Sequence, residues 1–188
     1  MNKKKRTYEF NSFEIVRNSE LQFLKKIMKN MNIENCDIEI IRLDQGTVDA
    51  YLDYLKEAMK SEPDMMTADS MDEAGIRVRV CDPFYMNTKN LLAMTSGKVI
   101  GRLEYHFYGC MQDGYRMAYV DWVYVLPAYR HNGVAQKLFR ELEKDCRENR
   151  IDQYYLIRST KPEADKFYHS FEKANLSNSP ILRKELTD

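Results

Sequence analysis

Between Asn90 and Val125 the chain carries three strand-like segments, Leu91 to Met94, Val99 to Tyr108 and Met117 to Val125. They are separated by the turn signals Ser96-Gly97 and Asp113-Gly114. Strands joined by such short connections pair with their sequence neighbours, so the pattern predicts an antiparallel meander. Leu103, Tyr105 and Phe107 alternate with Arg102, Glu104 and His106, the period of a strand with one apolar face. Val120 to Val125 is apolar apart from Asp121, as expected of a central strand covered on both faces.

The flanking segments extend this sheet. Asp37 to Ile41 reads as a short half-buried strand, and after Gly46 a helix carries Val48, Tyr51, Leu52, Leu55 and Met59 on one face. Residues 61–75, acidic and rich in methionine around Pro63 and Gly75, read as a loop, with or without a short helix, bordering a cleft. Pro127 ends the third meander strand, and a helix follows with Val134, Leu138, Phe139, Leu142 and Cys146 along one side. Tyr154 to Ile157 is a fifth strand. Thr160-Lys161-Pro162-Glu163 combines a capping box with an early proline and predicts a helix from about Lys161 to Ala174. Pro180 to Leu186 reads as a last short strand. The order strand, helix, meander, helix, strand, helix implies an α/β (α+β) fold, a mixed and mostly antiparallel sheet flanked by helices.

Residues 1–36 stand apart. Ser19-Glu20-Leu21-Gln22 is a capping box, followed at helical spacing by Leu24, Ile27, Met28 and Met31. This extra amphipathic helix packs on the body or on a second copy, making a homodimer surface; a nucleic-acid arm is the alternative use of its basic residues.

Charge and cysteine usage exclude several classes. The 188 residues hold 29 acidic and 29 basic side chains, so the molecule as a whole offers no strong field to nucleic acid or an anionic membrane. Apolar runs are broken by charge before the ~18 residues that span a bilayer, and no signal-peptide core follows the basic start. A cytoplasmic protein is expected. Cys36, Cys81, Cys110 and Cys146 form no C-x-x-C pair, and with three scattered histidines no metal site is expected.

The most informative segment is VYVLPAYRHNGVAQKLF, a strand, a loop and an amphipathic helix. Amides at a helix start lack internal partners and carry the positive end of the dipole, which suits a pyrophosphate. Gly133 has no Cβ and Ala135 a small one, so an anion can approach the chain closely. Arg130 adds a charge suited to phosphate. No G-x-x-x-x-G-K-[ST] or G-x-G-x-x-G motif competes.

These residues resemble the GNAT superfamily of N-acetyltransferases over about residues 37–186. Arg130-His131-Asn132-Gly133-Val134-Ala135 matches the family's Q/R-x-x-G-x-G/A signature, and Phe167-Tyr168 in PEADKFYHSF matches its aromatic-Tyr helix. Lys161 stands where the family often has Asn, and no Gly-Phe follows the tyrosine at the usual distance. The resemblance implies an acyltransferase domain over 37–188, with acetyl-CoA bound between two splayed strands. Backbone groups of Val123, Tyr124 and Val125 would then bond the pantetheine, and the amides from Arg130 to Ala135 the pyrophosphate.

The implied reaction is direct attack of a primary amine, carried by a small molecule or a protein, on the thioester. A Lys-like amine of pKa ~10.4 is neutral in about one molecule in two thousand at pH 7, so a general base is useful. Asp121, the single acid in its apolar strand, is the first candidate base, and Glu104 the second. Tyr168 is the candidate acid for the leaving thiolate, from the resemblance. His131, His169 and His106 rank lower, His131 as a loop residue and His106 as part of an alternating strand. Glu62, Asp64, Asp69, Asp72 and Glu73 suggest a cationic acceptor. A non-catalytic acyl-CoA-binding module on the same scaffold is the alternative reading.

Overall fold

Alternation along the meander becomes three long strands, β2 (Thr88–Thr95), β3 (Lys98–Gly109) and β4 (Arg116–Val125). The computed structural model describes residues 37–63, 70–159, 161–177, 181, 182 and 184. β1 (Glu39–Arg42) pairs antiparallel with β2, and β5 (Gln153–Leu156) pairs parallel with β4. The order is β1-β2-β3-β4-β5, the mixed and mostly antiparallel sheet expected.

Helices cover both faces. α3 (Val134–Glu148) lays Val134, Leu138, Phe139, Leu142 and Cys146 against Leu91, Ala93, Leu103, Tyr105, Ala118 and Val120. On the other face α1 (Val48–Ser61) buries Tyr51, Tyr54, Leu55 and Ala58 against Leu92, Val99, Tyr124 and Leu126. Each fully buried leucine stabilises such a core by roughly 1.5–3 kcal/mol. Gly101 lets α3 approach β3, because a Cβ there would lie 3.0 Å from Val134 Cγ1.

Several expectations are corrected by the packing. β4 is interior to the sheet, between β3 and β5, as expected, but Val120 to Val125 is only partly covered: Asp121 is exposed and Trp122 and Val123 are half-buried. The reason is that α1 reaches only the end of that face around Tyr124 and Leu126. Between α1 and β2 the short helix allowed for in 61–75 falls at the end of that segment and beyond it, and a 3-10 turn not expected from the sequence follows. Asp72 caps α2 (Glu73–Arg79) by accepting from the Gly75 amide, and Asp82 caps a 3-10 turn at Pro83–Asn87 by accepting from the Phe84 amide. α4 (Pro162–His169) is shorter than predicted, because the Ser170 hydroxyl takes the Phe167 carbonyl and Lys173 turns into the left-handed region at φ 60. The expected N-terminal helix lies outside the described residues. So does most of the expected strand at 180–186, where Ile181, Leu182 and Lys184 are exposed and take no strand.

Candidate active site

One irregularity in the sheet opens the site. β3 and β4 pair Glu104 with Trp122 but Tyr105 with Val120, so Asp121 is an extra residue bulged out of β4. Ladder pairing between β4 and β5 ends at the same point, with Val120 opposite Leu156. From Asp121 to Val125 the β5 side of β4 therefore has no strand partner. A side chain occupies one carbonyl there, since Arg130 Nε donates to Val125 O at 3.0 Å; Tyr124 O, on the side facing β3, also accepts from the Tyr54 hydroxyl at 3.0 Å.

The chain then passes through a 3-10 turn at Pro127–Tyr129 into the start of α3. His131 and Gly133 both adopt positive φ, 64 and 74, which turns successive amides toward one side. The first backbone bond of the helix runs from Lys137 N to Gly133 O at 3.0 Å. The amides of His131, Asn132, Gly133, Val134, Ala135 and Gln136 donate to no described residue. No described atom lies within 4 Å of where a Gly133 Cβ would sit, so an anion could reach them closely. The fit to a pyrophosphate follows from chemistry: several unpaired donors converge at the positive end of a 15-residue helix.

Arg130 has a different placement from a free phosphate ligand. Its guanidinium pairs with Glu62 at the C-terminal end of α1 and lies 5.3 Å over the Tyr124 ring. The Tyr124 hydroxyl donates to Glu62 at 2.9 Å. The hydrogen bond from Arg130, foremost, holds the Glu62 carboxyl below its ordinary value, whereas burial and then Glu62 push the Tyr124 phenol up to about 12. Glu62 thus ties α1 to the loop that leads into α3.

Tyr168 lies on the α3 side of the sheet, 9% exposed, with its ring centroid 5.5 Å from that of Phe167 and 6.3 Å from that of Phe171. Its hydroxyl bonds to no described residue, and burial raises its pKa, which keeps the phenol protonated and able to donate.

The two candidate bases come together on the opposite face, with a residue ranked lower from sequence. Glu104, His106 and Asp121 bring their ligand atoms within 4.8 Å of one another. His106 Nδ1 meets Thr88 Oγ1 at 3.3 Å and its ring stacks on Tyr119. Arg102 Nη1 stands 3.7 Å from Glu104 Oε2 and completes a cationic edge to the cluster. Glu104 and His106 are two apart on one strand and so share a face, a signal present in the sequence; the bulge that adds Asp121 was not. His131 is exposed in the loop, and His169 bonds the Asp165 carbonyl on the surface of α4, so neither joins the cluster. Among the acids expected at the entrance, Glu62 pairs with Arg130, Asp72 with Arg79 and Glu73 with Lys56. Asp64 and Asp69 lie outside the described residues.

Residues 49–172, more than half of the chain, match the family model described as the acetyltransferase (GNAT) family. The chain belongs to the GNAT acetyltransferase family. Solved structures share its fold at low identity. An aminoglycoside acetyltransferase from an uncultured soil metagenomic sample, in complex with sisomicin, aligns with TM-score 0.67 and 14% identity over 80% of this chain and 97% of its own. A ribosomal-protein-alanine N-acetyltransferase from Brucella melitensis biovar Abortus 2308 aligns with TM-score 0.63 and 19% identity over 78% of this chain and 99% of its own. A Trypanosoma brucei acetyltransferase gives 0.61 and 16%, over 80% and 100%. No curated protein sequence matches the chain. The GNAT fold expected from the loop and helix motifs is borne out. Among the described residues no helix is long and apolar enough to cross a membrane.

Proposed function

We propose that this GNAT chain is an acetyl-CoA-dependent N-acetyltransferase whose acceptor is a primary amine attacking directly. One observation carries the reading: six consecutive amides, His131 to Gln136, that donate to no described residue adjoin the open edge of β4 between Asp121 and Val125. An extended cofactor with a pyrophosphate at one end and amides along its arm would satisfy the loop amides and the β4 backbone groups that no strand and no side chain already partners. Val123, Tyr124 and Val125 would hold the arm and the 131–136 amides the pyrophosphate, with Arg130 bracing the loop through Glu62. The cofactor supplies an acetyl group activated as a thioester.

The remaining chemistry belongs to this chain's side chains. Asp121, Glu104 and His106 supply acceptors on the open face for the ammonium and its departing proton. Tyr168 would supply a phenol proton from the α3 side of the sheet. Isothermal titration with acetyl-CoA tests the reading. Ala135→Glu is the informative variant, since a side chain at Gly133 would also strain a backbone at φ 74. Binding by the wild-type chain and its loss in Ala135→Glu are expected, followed by thiol release on addition of an amine. A folded wild-type protein that binds no acetyl-CoA would refute the proposal.

A further inference from the structure

Between α1 and β2 the chain shows apolar side chains to solvent. α2 (Glu73–Arg79) buries none of its residues, and neither does the 3-10 turn at Pro83–Asn87. Val78, Phe84 and Met86 are 66%, 82% and 77% exposed, and the Phe84 ring meets Tyr85 edge-on with centroids 5.2 Å apart. Beside them Arg77, Val78, Cys81 and Asp82 line an open groove of about 550 Å³. So much exposed apolar surface in one short stretch marks a docking surface.

Ion pairs fix where this surface lies. Arg77 reaches Asp49 at 2.6 Å and Lys56 reaches Glu73 at 3.1 Å, which holds α2 on α1, while Gln45 Nε2 donates to Cys81 Sγ at 2.9 Å. The surface therefore adjoins the connection from β1 to α1, beyond the end of β1 that is farther from Asp37. The 3-10 turn runs directly into β2 at Thr88, whose hydroxyl meets His106, so an occupant would border the open face of the site.

Pattern, reach and charge select the occupant. Residues 19–31 carry Leu21, Leu24, Ile27, Met28 and Met31 at helical spacing, an apolar stripe in need of a partner. As a helix they would span about 20 Å, and residues 32–36 in extended form would add about 17 Å. The path from Asp37 to Gln45 is at most about 27 Å, so the stripe reaches the groove within one chain. Residues 37–87 hold 12 acidic side chains against 5 basic ones, and Arg42, Lys56, Arg77 and Arg79 are already paired with Asp145, Glu73, Asp49 and Asp72. Residues 1–36 hold 8 basic side chains against 4 acidic ones, the opposite sign. A short tether gives the chain's own segment an effective concentration on the order of millimolar, so it prevails over the same segment of another copy.

We propose that residues 19–31 dock as an amphipathic helix on the α2 surface of the same chain, setting Leu24, Ile27 and Met28 against Val78, Phe84 and Met86 and covering Cys81. The extension then forms part of the wall beside the open face of the sheet.

The test reads the Cys81 thiol in the full chain, by peptide-resolved mass spectrometry of maleimide labelling. Wild type is compared with Leu24→Asp combined with Ile27→Asp, and separately with Phe84→Asp. Docking shields Cys81, so both variants should label there about tenfold faster than wild type. The wild-type rate should not change between about 1 and 100 µM protein. Cys146 is buried and reports unfolding; a variant that exposes it is replaced by the milder Leu24→Ser with Ile27→Ser, or by Phe84→Ser. Equal labelling in all proteins would overturn the proposal. So would protection that grows with concentration, which assigns the surface to a second copy, and protection that survives the Leu24 and Ile27 changes, which assigns it to another segment. Release by those changes but not by the Phe84 change places the segment off this surface and also overturns it.

Discussion

Glu104 and Tyr105 are neighbours on β3, yet they serve opposite carboxylate sites. Tyr105 points under α3 and donates to Asp145 Oδ2 at 2.5 Å, where Lys89 also donates at 3.1 Å. Arg42 and Asn149 donate to the other oxygen at 2.7 and 3.1 Å. Asp145 is 4% exposed. Glu104 points to the other face, where Asp121 is open to solvent and the nearest cation to Glu104 is 3.7 Å away. Enclosure by donors on every side turns one carboxylate into a fastening of β1, β2, β3 and α3. Incomplete enclosure leaves the other pair able to exchange partners and protons.

The largest expected effect breaks the closed site. Asp145→Ala leaves Arg42 and Lys89 without their counter-ion and should cost about 3–5 kcal/mol in urea unfolding. Its pH dependence has a definite sign. Burial alone would raise the Asp145 carboxyl, but hydrogen bonds from Tyr105, Lys89 and Arg42 outweigh it and hold the folded pKa below the ordinary value. Its contribution is therefore complete above about pH 5 and is lost as pH falls through the folded pKa, so the gap in stability between wild type and Asp145→Asn should narrow in acid.

The next effect breaks the open site. Glu104→Gln combined with Asp121→Asn should lower kcat by at least about 10²-fold while unfolding stability shifts by no more than about 0.5 kcal/mol. Large destabilisation with turnover retained would erase the contrast between the two sites. The smallest effect concerns Tyr168. With no hydrogen bond to a described residue, Tyr168→Phe should leave thermal stability nearly unchanged and lower kcat by roughly tenfold; an unchanged kcat would remove it from the chemistry.

Much of the framework was legible because it is written in local period. The meander, α1, α3 and β5 follow from alternation, helical spacing and turn residues, each a property of a few consecutive positions. The sequence leaves α2 open rather than placing it, although Asp72 is an N-cap residue type, because its seven residues bury none of their side chains and so show no apolar stripe. His106 was ranked low for a related reason: alternation in β3 marks its face as polar, and nothing local says that α1 leaves that part of the face uncovered.

From the sequence alone come the order of elements, the glycine-containing turn into α3 and the row of unpartnered amides there, since unpaired amides at a helix start are a consequence of helical hydrogen bonding itself. Only the tertiary structure decided which side chains surround those amides. Arg130 meets Glu62 across a separation of 68 residues, and Asp121 joins Glu104 and His106 only because a bulge shifts the register of β4. Such contacts depend on how strands pair and where helices stop covering them, which no short stretch of sequence specifies.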